Sequence, residues 1–430
     1  MLDIKYIRDN QDKVRDAIKN KKSDADLDAL LSIDVKRREL LESSETLRAE
    51  QNKHKGPQTP EQIVMLKELK ERFKTQEQEL KVVGDKFSEL MLKIPNIPTD
   101  DTPIGMGEAD NVVIKTVGEP RKFDFPIKSH WEIGQEHDLI DKERATKVAG
   151  SRFAYIKGDL VRLQFAMLQF AMDQLTDQKV IRKIIKDNGF KVSDKVFVPV
   201  LPPYLIKTDV YRATGRLNSE EVTYKLEGDD LWLNASAEHS LAPMYQGEIL
   251  EEAKLPIRYL GYTTAFRREA GTYGKDMEGI LRMHQFDKLE MESFSTKEQG
   301  IDEHLFLIAV QEYLMQELEI PYQVVLKCTT EIGGPNARGV DLEAWLPSQN
   351  TYRETHTADY MTDFQARRLH TRVRRSSGGV EVAHTNDATA LSQRPLIAIL
   401  ENFQQKDGSI KIPKALQKYC GGMKEIKSKK

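Results

Sequence analysis

Residues 266–290 read Phe266-Arg-Arg-Glu-Ala-Gly-Thr-Tyr-Gly-Lys-Asp-Met-Glu-Gly-Ile-Leu-Arg-Met-His-Gln-Phe286, followed by Asp287-Lys-Leu-Glu290. Side chains two apart on a strand share a face, so this spacing predicts Arg267 and Glu269 side by side on one strand. A Gly- and charge-rich loop then leads into a second strand, on which Arg282, Phe286 and Glu290 share one parity. Two Arg, two Glu and one aromatic would converge on one sheet face. Taken alone, the pattern also fits cross-strand salt bridges on an exposed hairpin. On a buried face, so much charge costs more than a structural role justifies.

Working outward, short strand-like runs surround this hairpin: Val196-Phe-Val-Pro-Val, Ile257-Arg-Tyr-Leu-Gly-Tyr, Tyr322-Gln-Val-Val-Leu and Leu342-Glu-Ala-Trp-Leu. Helical periodicity occupies residues 160–175. Strands without regular βαβ alternation predict an α+β domain with a mostly antiparallel sheet flanked by helices. No Gly-x-Gly-x-x-Gly or P-loop pattern follows a strand, so a nucleotide must be held some other way.

Residues 1–100 differ from the rest. Ile33, Leu40 and Leu47 recur every seven residues, as do Leu66, Phe73, Leu80 and Phe87, interleaved with Leu69, Val83 and Leu90. Broken at Gly56-Pro57 and with Pro60 near the start of the second helix, this predicts an antiparallel two-helix coiled-coil arm. The prolines of Ile94-Pro-Asn-Ile-Pro98 end it. The expected organisation is an N-terminal domain over 1–100, a linker over 101–120, a main domain over 121–420, and a lysine-rich tail over 421–430 that frays in solvent.

With 430 residues, 65 Lys+Arg against 68 Asp+Glu and a formal charge of −3, the chain has no global basic field. Nucleic-acid contact would need local cation clusters. The two cysteines, Cys328 and Cys420, cannot build a disulfide framework or a zinc knuckle. No targeting segment opens the chain and no stretch of about 18 apolar residues occurs, which predicts a cytoplasmic protein that does not span a membrane.

Phe266-Arg-Arg-Glu with Arg282 and Phe286 resembles motif 2 of the class II aminoacyl-tRNA synthetases, and the details are similar to the seryl-tRNA synthetase family. Gly150-Ser-Arg-Phe153, Tyr224-Lys-Leu-Glu227, Gly274-Lys-Asp, His284-Gln-Phe, Asp341-Leu-Glu343, Asp363-Phe-Gln-Ala-Arg-Arg368 and Ile399-Leu-Glu-Asn-Phe-Gln404 agree in order behind the helical arm. The resemblance covers residues 1–420, and the class I signatures are absent. It implies a class II catalytic domain that activates serine with ATP and passes it to the 3′ end of tRNA.

The resemblance also implies roles. Arg267 would bridge the substrate carboxylate and α-phosphate, Arg282 and Arg394 would engage the triphosphate, and adenine would lie between Phe286 and Arg394 with Glu269 on its amino group. Planar guanidinium forks suit phosphate and aromatic faces. Glu354 and Thr357 match Mg²⁺-holding positions, oxygen donors suited to a hard cation, while alternation turns His356 away into packing. Ser236, Glu238, Glu290, Asp387 and Thr389 would take serine. Hydroxyls and carboxylates recognise a small side-chain OH and leave groups unpaired against alanine.

Three features depart from the family pattern. Ala358-Asp-Tyr-Met stands where Cys-Ser-Asn is usual, and Asp387 where many members carry Asn. The Thr389-Ala-Leu-Ser-Gln-Arg-Pro395 segment is also one residue short. The resemblance implies a homodimer formed through the segment spanning residues 160–202, although an amphipathic core helix explains that periodicity equally well. It also implies an arm that reaches tRNA(Ser), or tRNA for selenocysteine, bound to the other subunit. Lys36, Arg37, Arg38, Arg48, Lys53 and Lys55 could supply phosphate contacts, though each alone fits a solvated heptad flank better. Two other readings remain open: a paralogue that activates another small amino acid or loads a non-tRNA acceptor, and a catalytically inactive RNA-binding protein.

Overall fold

The computed structural model describes residues 1–53, 59–217, 223–269 and 279–428, apart from the side chain of Glu61. The Gly56-Pro57 turn, Lys55 and the Gly274-Lys-Asp segment lie outside the described residues. Two compact units result, Met1–Ile97 and Pro98–Lys430.

In the first unit, helices α1 (Leu27–Lys53) and α2 (Pro60–Lys93) pair along their length. Thr59 and Gln62 form a capping box with Pro60 in the first turn, so α2 starts where its sequence predicts. Residue 23 meets 93, 37 meets 87 and 36 meets 79, which makes the pair antiparallel. Leu30, Leu47, Leu69, Val83 and Leu90 are buried while the other heptad residues are half-buried, so the seam follows the repeat. At 34 residues α2 is about 51 Å long. Heptads do not foretell Asp34, which is fully buried and faces Arg8, Arg37 and Arg38 at 3.5, 3.1 and 3.2 Å.

The second unit is built on an eight-stranded sheet. In chain order its strands are β1 (Val112–Val117), β2 (Val198–Val200), β3 (Ile257–Phe266), β4 (Gln285–Ser295), β5 (Tyr322–Leu326), β6 (Arg338–Leu346), β7 (Thr351–Thr362) and β8 (His384–Ser392). Across the sheet the order is β1-β5-β6-β7-β8-β4-β3-β2. Every pairing is antiparallel except β2 with β3. The predicted α+β class, with an antiparallel sheet flanked by helices, therefore holds.

One face of the sheet is apolar. Val340, Leu342 and Ala344 on β6, Ala358 on β7 and Leu289 and Met291 on β4 join a core completed by helices α3 (His130–Glu136), α4 (Asp159–Thr176), α5 (Gly300–Glu317) and α6 (Arg394–Asn402). The opposite parity carries the charged residues, so strand alternation divides the sheet into a helix-covered face and a polar one. The tail expectation needs correction. Glu425–Ile426 pairs with Ile410–Lys411 and Ile426 is buried, because an apolar residue there seals the core edge. Lys429 and Lys430 lie outside the described residues.

Candidate active site

The polar face follows from register. Cross-strand partners point the same way, so the pairs Asp341 with Thr357, Glu343 with Glu354, Asp359 with Asp387, Asp387 with Glu292 and Thr389 with Glu290 set these residues on one surface. Lys288, Glu290 and Glu292 share it by alternation, as does Phe286. Two bulges shape it. Glu354 and Thr357 are three apart and would face opposite ways on a regular strand, but the register slips at Thr355, where Leu342 pairs with His356 and Glu343 with Glu354. Both therefore reach the polar face, while His356 turns to the core side and is buried beside Thr355. A second slip, between Thr389 and Leu391, keeps Thr389 and Ser392 on the polar side. Behind both slips the buried Gln311 of α5 donates to the carbonyls of Thr357 and Thr389 at 2.7 and 2.9 Å.

The hairpin differs from its predicted geometry. β3 ends at Phe266 and β4 begins at Gln285, so Arg267, Glu269 and Arg282 lie beyond regular strand and do not follow its alternation. The Arg267 backbone N–H still reaches the His284 carbonyl at 2.9 Å, extending the pairing by one rung. Glu269 then takes a left-handed conformation, φ +46°, its carbonyl held by Arg152. That bend brings its carboxylate to 3.2 Å from Arg282. On the returning side, Ile280 N–H donates to His130 Nε2 at 3.3 Å, and His130 Nδ1 faces Glu401 of α6 at 2.9 Å. A Cβ at Gly279, φ +65°, would collide with that imidazole.

Arg267 is half-buried, donates through Nε to the Ala235 carbonyl at 3.0 Å and lies with its guanidinium 5.2 Å from the centre of the Phe286 ring. The ring expected to face Arg394 thus carries Arg267 here. Arg394 opens α6 immediately before Pro395, as its position predicts, and pairs with the Glu354 carboxylate at 3.0 Å and its carbonyl at 2.9 Å.

Ser236, Glu238, Glu290, Asp387 and Thr389 are all buried. Glu238 accepts from Arg216 at 3.0 Å and Gln365 at 2.8 Å, and Ser236 Oγ from Lys288 at 3.2 Å. Lys288 also stands 2.5 Å from Glu290. Burial pushes the Glu290 carboxyl up to about 7, against the pull of Lys288. Glu292 and Asp387 are raised well above the carboxylate range by burial and by neighbouring carboxylates. Burial also acts on Asp359, but Lys327 and Arg216 outweigh it and leave that group lowered.

The residues that the sequence reasoning did not single out are the cations Arg216, Lys288 and Lys327, which stand against these carboxylates, and Gln365, which donates to Glu238. Lys288 was accessible through its shared parity with Glu290. Arg216 follows Gly215 in a turn and carries no pattern. In the arm, Lys36 pairs with Glu79 at 2.7 Å and Arg37 lies over Phe87, whereas Arg48 and Lys53 are exposed. Among the described residues no cluster of three or more His, Cys, Asp or Glu could hold a metal, and no helix is long and apolar enough to cross a membrane.

Comparison with known proteins gives a consistent family. Residues 1–98 match the seryl-tRNA synthetase N-terminal domain, and residues 222–403 match the tRNA synthetase class II core domain (G, H, P, S and T). The serine–tRNA ligase of Symbiobacterium thermophilum is 38% identical over 430 residues, covering 97% of this chain and 98% of its own. The seryl-tRNA synthetase of Pyrococcus horikoshii, solved with ATP, superposes with a TM-score of 0.89 at 35% identity, covering 100% of both chains. The cytoplasmic serine–tRNA ligase of Naegleria fowleri, solved with AMP, gives 0.83 at 28% identity, covering 98% of this chain and 96% of that one.

Proposed function

The chain belongs to the seryl-tRNA synthetase family of class II aminoacyl-tRNA synthetases, and on that premise we propose that it is a serine–tRNA ligase. It activates L-serine with ATP to seryl-adenylate and pyrophosphate, then transfers the seryl group to the 3′ end of tRNA(Ser), with tRNA for selenocysteine as the second acceptor of the same proposal. The observation that carries this reading is the single polar sheet face, where arginines and a hydroxyl- and carboxylate-lined recess adjoin.

In the first step a carboxylate oxygen of serine attacks the α-phosphorus in line and pyrophosphate leaves, so two anions must approach each other. Arg267 lies beside the Ala235 carbonyl and the Phe286 ring, which supports a role in holding both and in meeting the charge that grows on the α-phosphate. Arg282 and Arg394 take the remaining phosphate oxygens in exchange for Glu269 and Glu354, with which they pair in the structure. Phe286 offers the adenine a face, Glu269 accepts from its amino group, and Arg394 closes over it. Serine fits with its ammonium on Glu238 and Ser236, and its hydroxyl toward Glu290, Thr389 and Asp387.

Glu354 and Thr357 share the polar face and supply two oxygen donors without a cage, which fits Mg²⁺ arriving with the nucleotide's phosphates. The ion would neutralise phosphate charge there. Phe165, Val198 and Leu201 are apolar yet exposed on α4, on β2 and beside it, which supports a homodimer through that surface. Cytoplasmic residence belongs to the same reading.

Aminoacylation of total tRNA by the purified chain, run across all twenty amino acids, is expected to incorporate serine alone. Adenylate formation without tRNA charging would give the chain another acceptor, and glycine or alanine preferred to serine another amino acid. No adenylate would leave an RNA-binding protein.

The arm is proposed to contact tRNA by shape and phosphate through Lys36, Arg37, Arg38, Arg48, Lys53 and Lys55. Neutralising Arg48 and Lys53, both exposed, should raise the KM for tRNA about 3- to 10-fold and flatten its salt dependence. Serine-dependent pyrophosphate exchange should stay at the unmodified rate.

A further inference from the structure

Asp359 and Asp387, the two acidic departures from the family pattern, are one structural unit. They are register partners on β7 and β8, 4% and 2% exposed. On its other side Asp387 pairs with Glu292, which is fully buried and whose carboxylate oxygens have no hydrogen-bond partner among the described residues. Glu238 completes the group from the start of the short helix Glu238–Leu241. Carboxylates enclosed together repel strongly where water cannot screen them.

Arg216 stands among them. Its Nε donates to Glu238 Oε1 at 3.0 Å, and its Nη2 lies 3.2 Å from Asp359 Oδ2 and 3.8 Å from Asp387 Oδ1. The guanidinium is placed from the turn after Gly215, whose φ of +81° ends the preceding helix. It passes so close to Gly333 that a Cβ there would come within 3.0 Å of Nη1. Lys327 serves the other Asp359 oxygen at 3.8 Å but is shared with Asp341 at 3.1 Å. One planar fork therefore links the group proposed for the substrate ammonium to both departures, a geometry a lysine cannot reproduce.

We infer that Arg216 is the positioning residue that makes this carboxylate-rich recess selective for a neutral hydroxyl side chain. The inference rests on the serine–tRNA ligase reading and deepens it. With Arg216 present, the charge of Asp359 is met internally, the Asp387 carboxyl stands beside the same cation, and Glu238 is held for the α-ammonium. Without it, the floor becomes an anionic cage that favours an amine at the position of the serine hydroxyl.

Pyrophosphate exchange with serine and with 2,3-diaminopropionate, the amine analogue of serine, tests this on the full-length chain. Arg216→Gln should raise the serine KM roughly 100-fold with the ATP KM within about threefold of wild type, and shift preference toward diaminopropionate by at least roughly tenfold. Adding Asp359→Asn and Asp387→Asn removes the uncompensated charge and should return the serine KM to within about tenfold of wild type. Arg216→Lys keeps the charge without the fork, and should raise the serine KM with a smaller gain for diaminopropionate. It decides the matter if the glutamine variant does not fold. An unchanged preference in Arg216→Gln, no recovery in the triple variant, a parallel rise in the ATP KM, or a lysine variant equal to wild type would each overturn the inference. A wild-type chain that activates no serine would overturn the functional reading as well; serine activation with insensitive variants overturns this inference alone.

Discussion

Arg267→Ala is expected to lower kcat/KM for serine-dependent pyrophosphate exchange by about 10³-fold, with most of the loss in kcat. In the proposed complex this guanidinium touches both reacting anions, and the α-phosphate gains charge density at an oxygen it contacts. An interaction that strengthens on the way to the transition state appears in kcat, whereas one equal in ground and transition states appears in KM. Folding should be little affected, because Arg267 is only half-buried and its Nε donates to a backbone carbonyl, that of Ala235. Arg267→Lys should recover little, since an ammonium cannot span two anions as a fork does. Single-turnover adenylate formation alongside a thermal melt separates these contributions. A variant with normal kcat and raised serine KM would reduce Arg267 to a carboxylate anchor.

Arg267 was legible because its neighbours in sequence carry chemistry at fixed spacing, and because chain alternation alone sorts Phe286 and Glu290 onto one side of β4. The same rule misplaces Glu269 and Arg282. Strand parity ends where the ladder ends, and beyond Phe266 a left-handed residue decides direction. Bulges limit alternation differently. Parity would separate Glu354 from Thr357, and only the slip at Thr355 reunites them. A one-residue slip leaves no compositional trace, so the resemblance could pair these residues where periodicity could not.

The neutralising cations were least legible. Arg216 and Lys327 come from turns and strand ends separated from Asp359 by 143 and 32 positions in sequence, and nothing local marks them. Buried charge is solved in three dimensions: a carboxyl on the polar face is either pushed toward its neutral form by burial, as Glu292 is, or met by a cation from any segment that passes nearby. Asp34 in the arm makes the same point. Heptads identify the seam from Ile33 to Leu90, yet an acid is buried on the same helix because three arginines reach it from two helices. Polar patterning therefore shows where charge must be resolved, and packing decides by which residue.

The largest effect on stability should come from a residue on the other side of β4 from the recess. Arg258 is 2% exposed and pairs with Glu303 through two hydrogen bonds, Nη2 to Oε1 at 2.6 Å and Nε to Oε2 at 2.8 Å. Its Nη1 also donates to the carbonyls of Ser193 and Lys195 at 3.0 and 2.7 Å, and its guanidinium lies 4.2 Å from the centre of the Phe306 ring. Arg258→Met keeps much of the volume but leaves the Glu303 carboxylate buried with Ser293 as its remaining side-chain donor. Breaking such a pair costs about 3–5 kcal/mol. The double variant Arg258→Met with Glu303→Leu should be the more stable of the two, because the stranded charge is gone. It should still fall short of wild type, because the carbonyls of the half-buried Ser193 and the exposed Lys195 lose their donor, and each such hydrogen bond contributes about 0.5–1.5 kcal/mol. Chemical denaturation of the full chain, followed by a probe in the second unit, measures all three. A double variant no more stable than Arg258→Met would place the cost in the loop carbonyls rather than in the ion pair, and would make Arg258 a clamp for residues 193–195 first and a partner of Glu303 second.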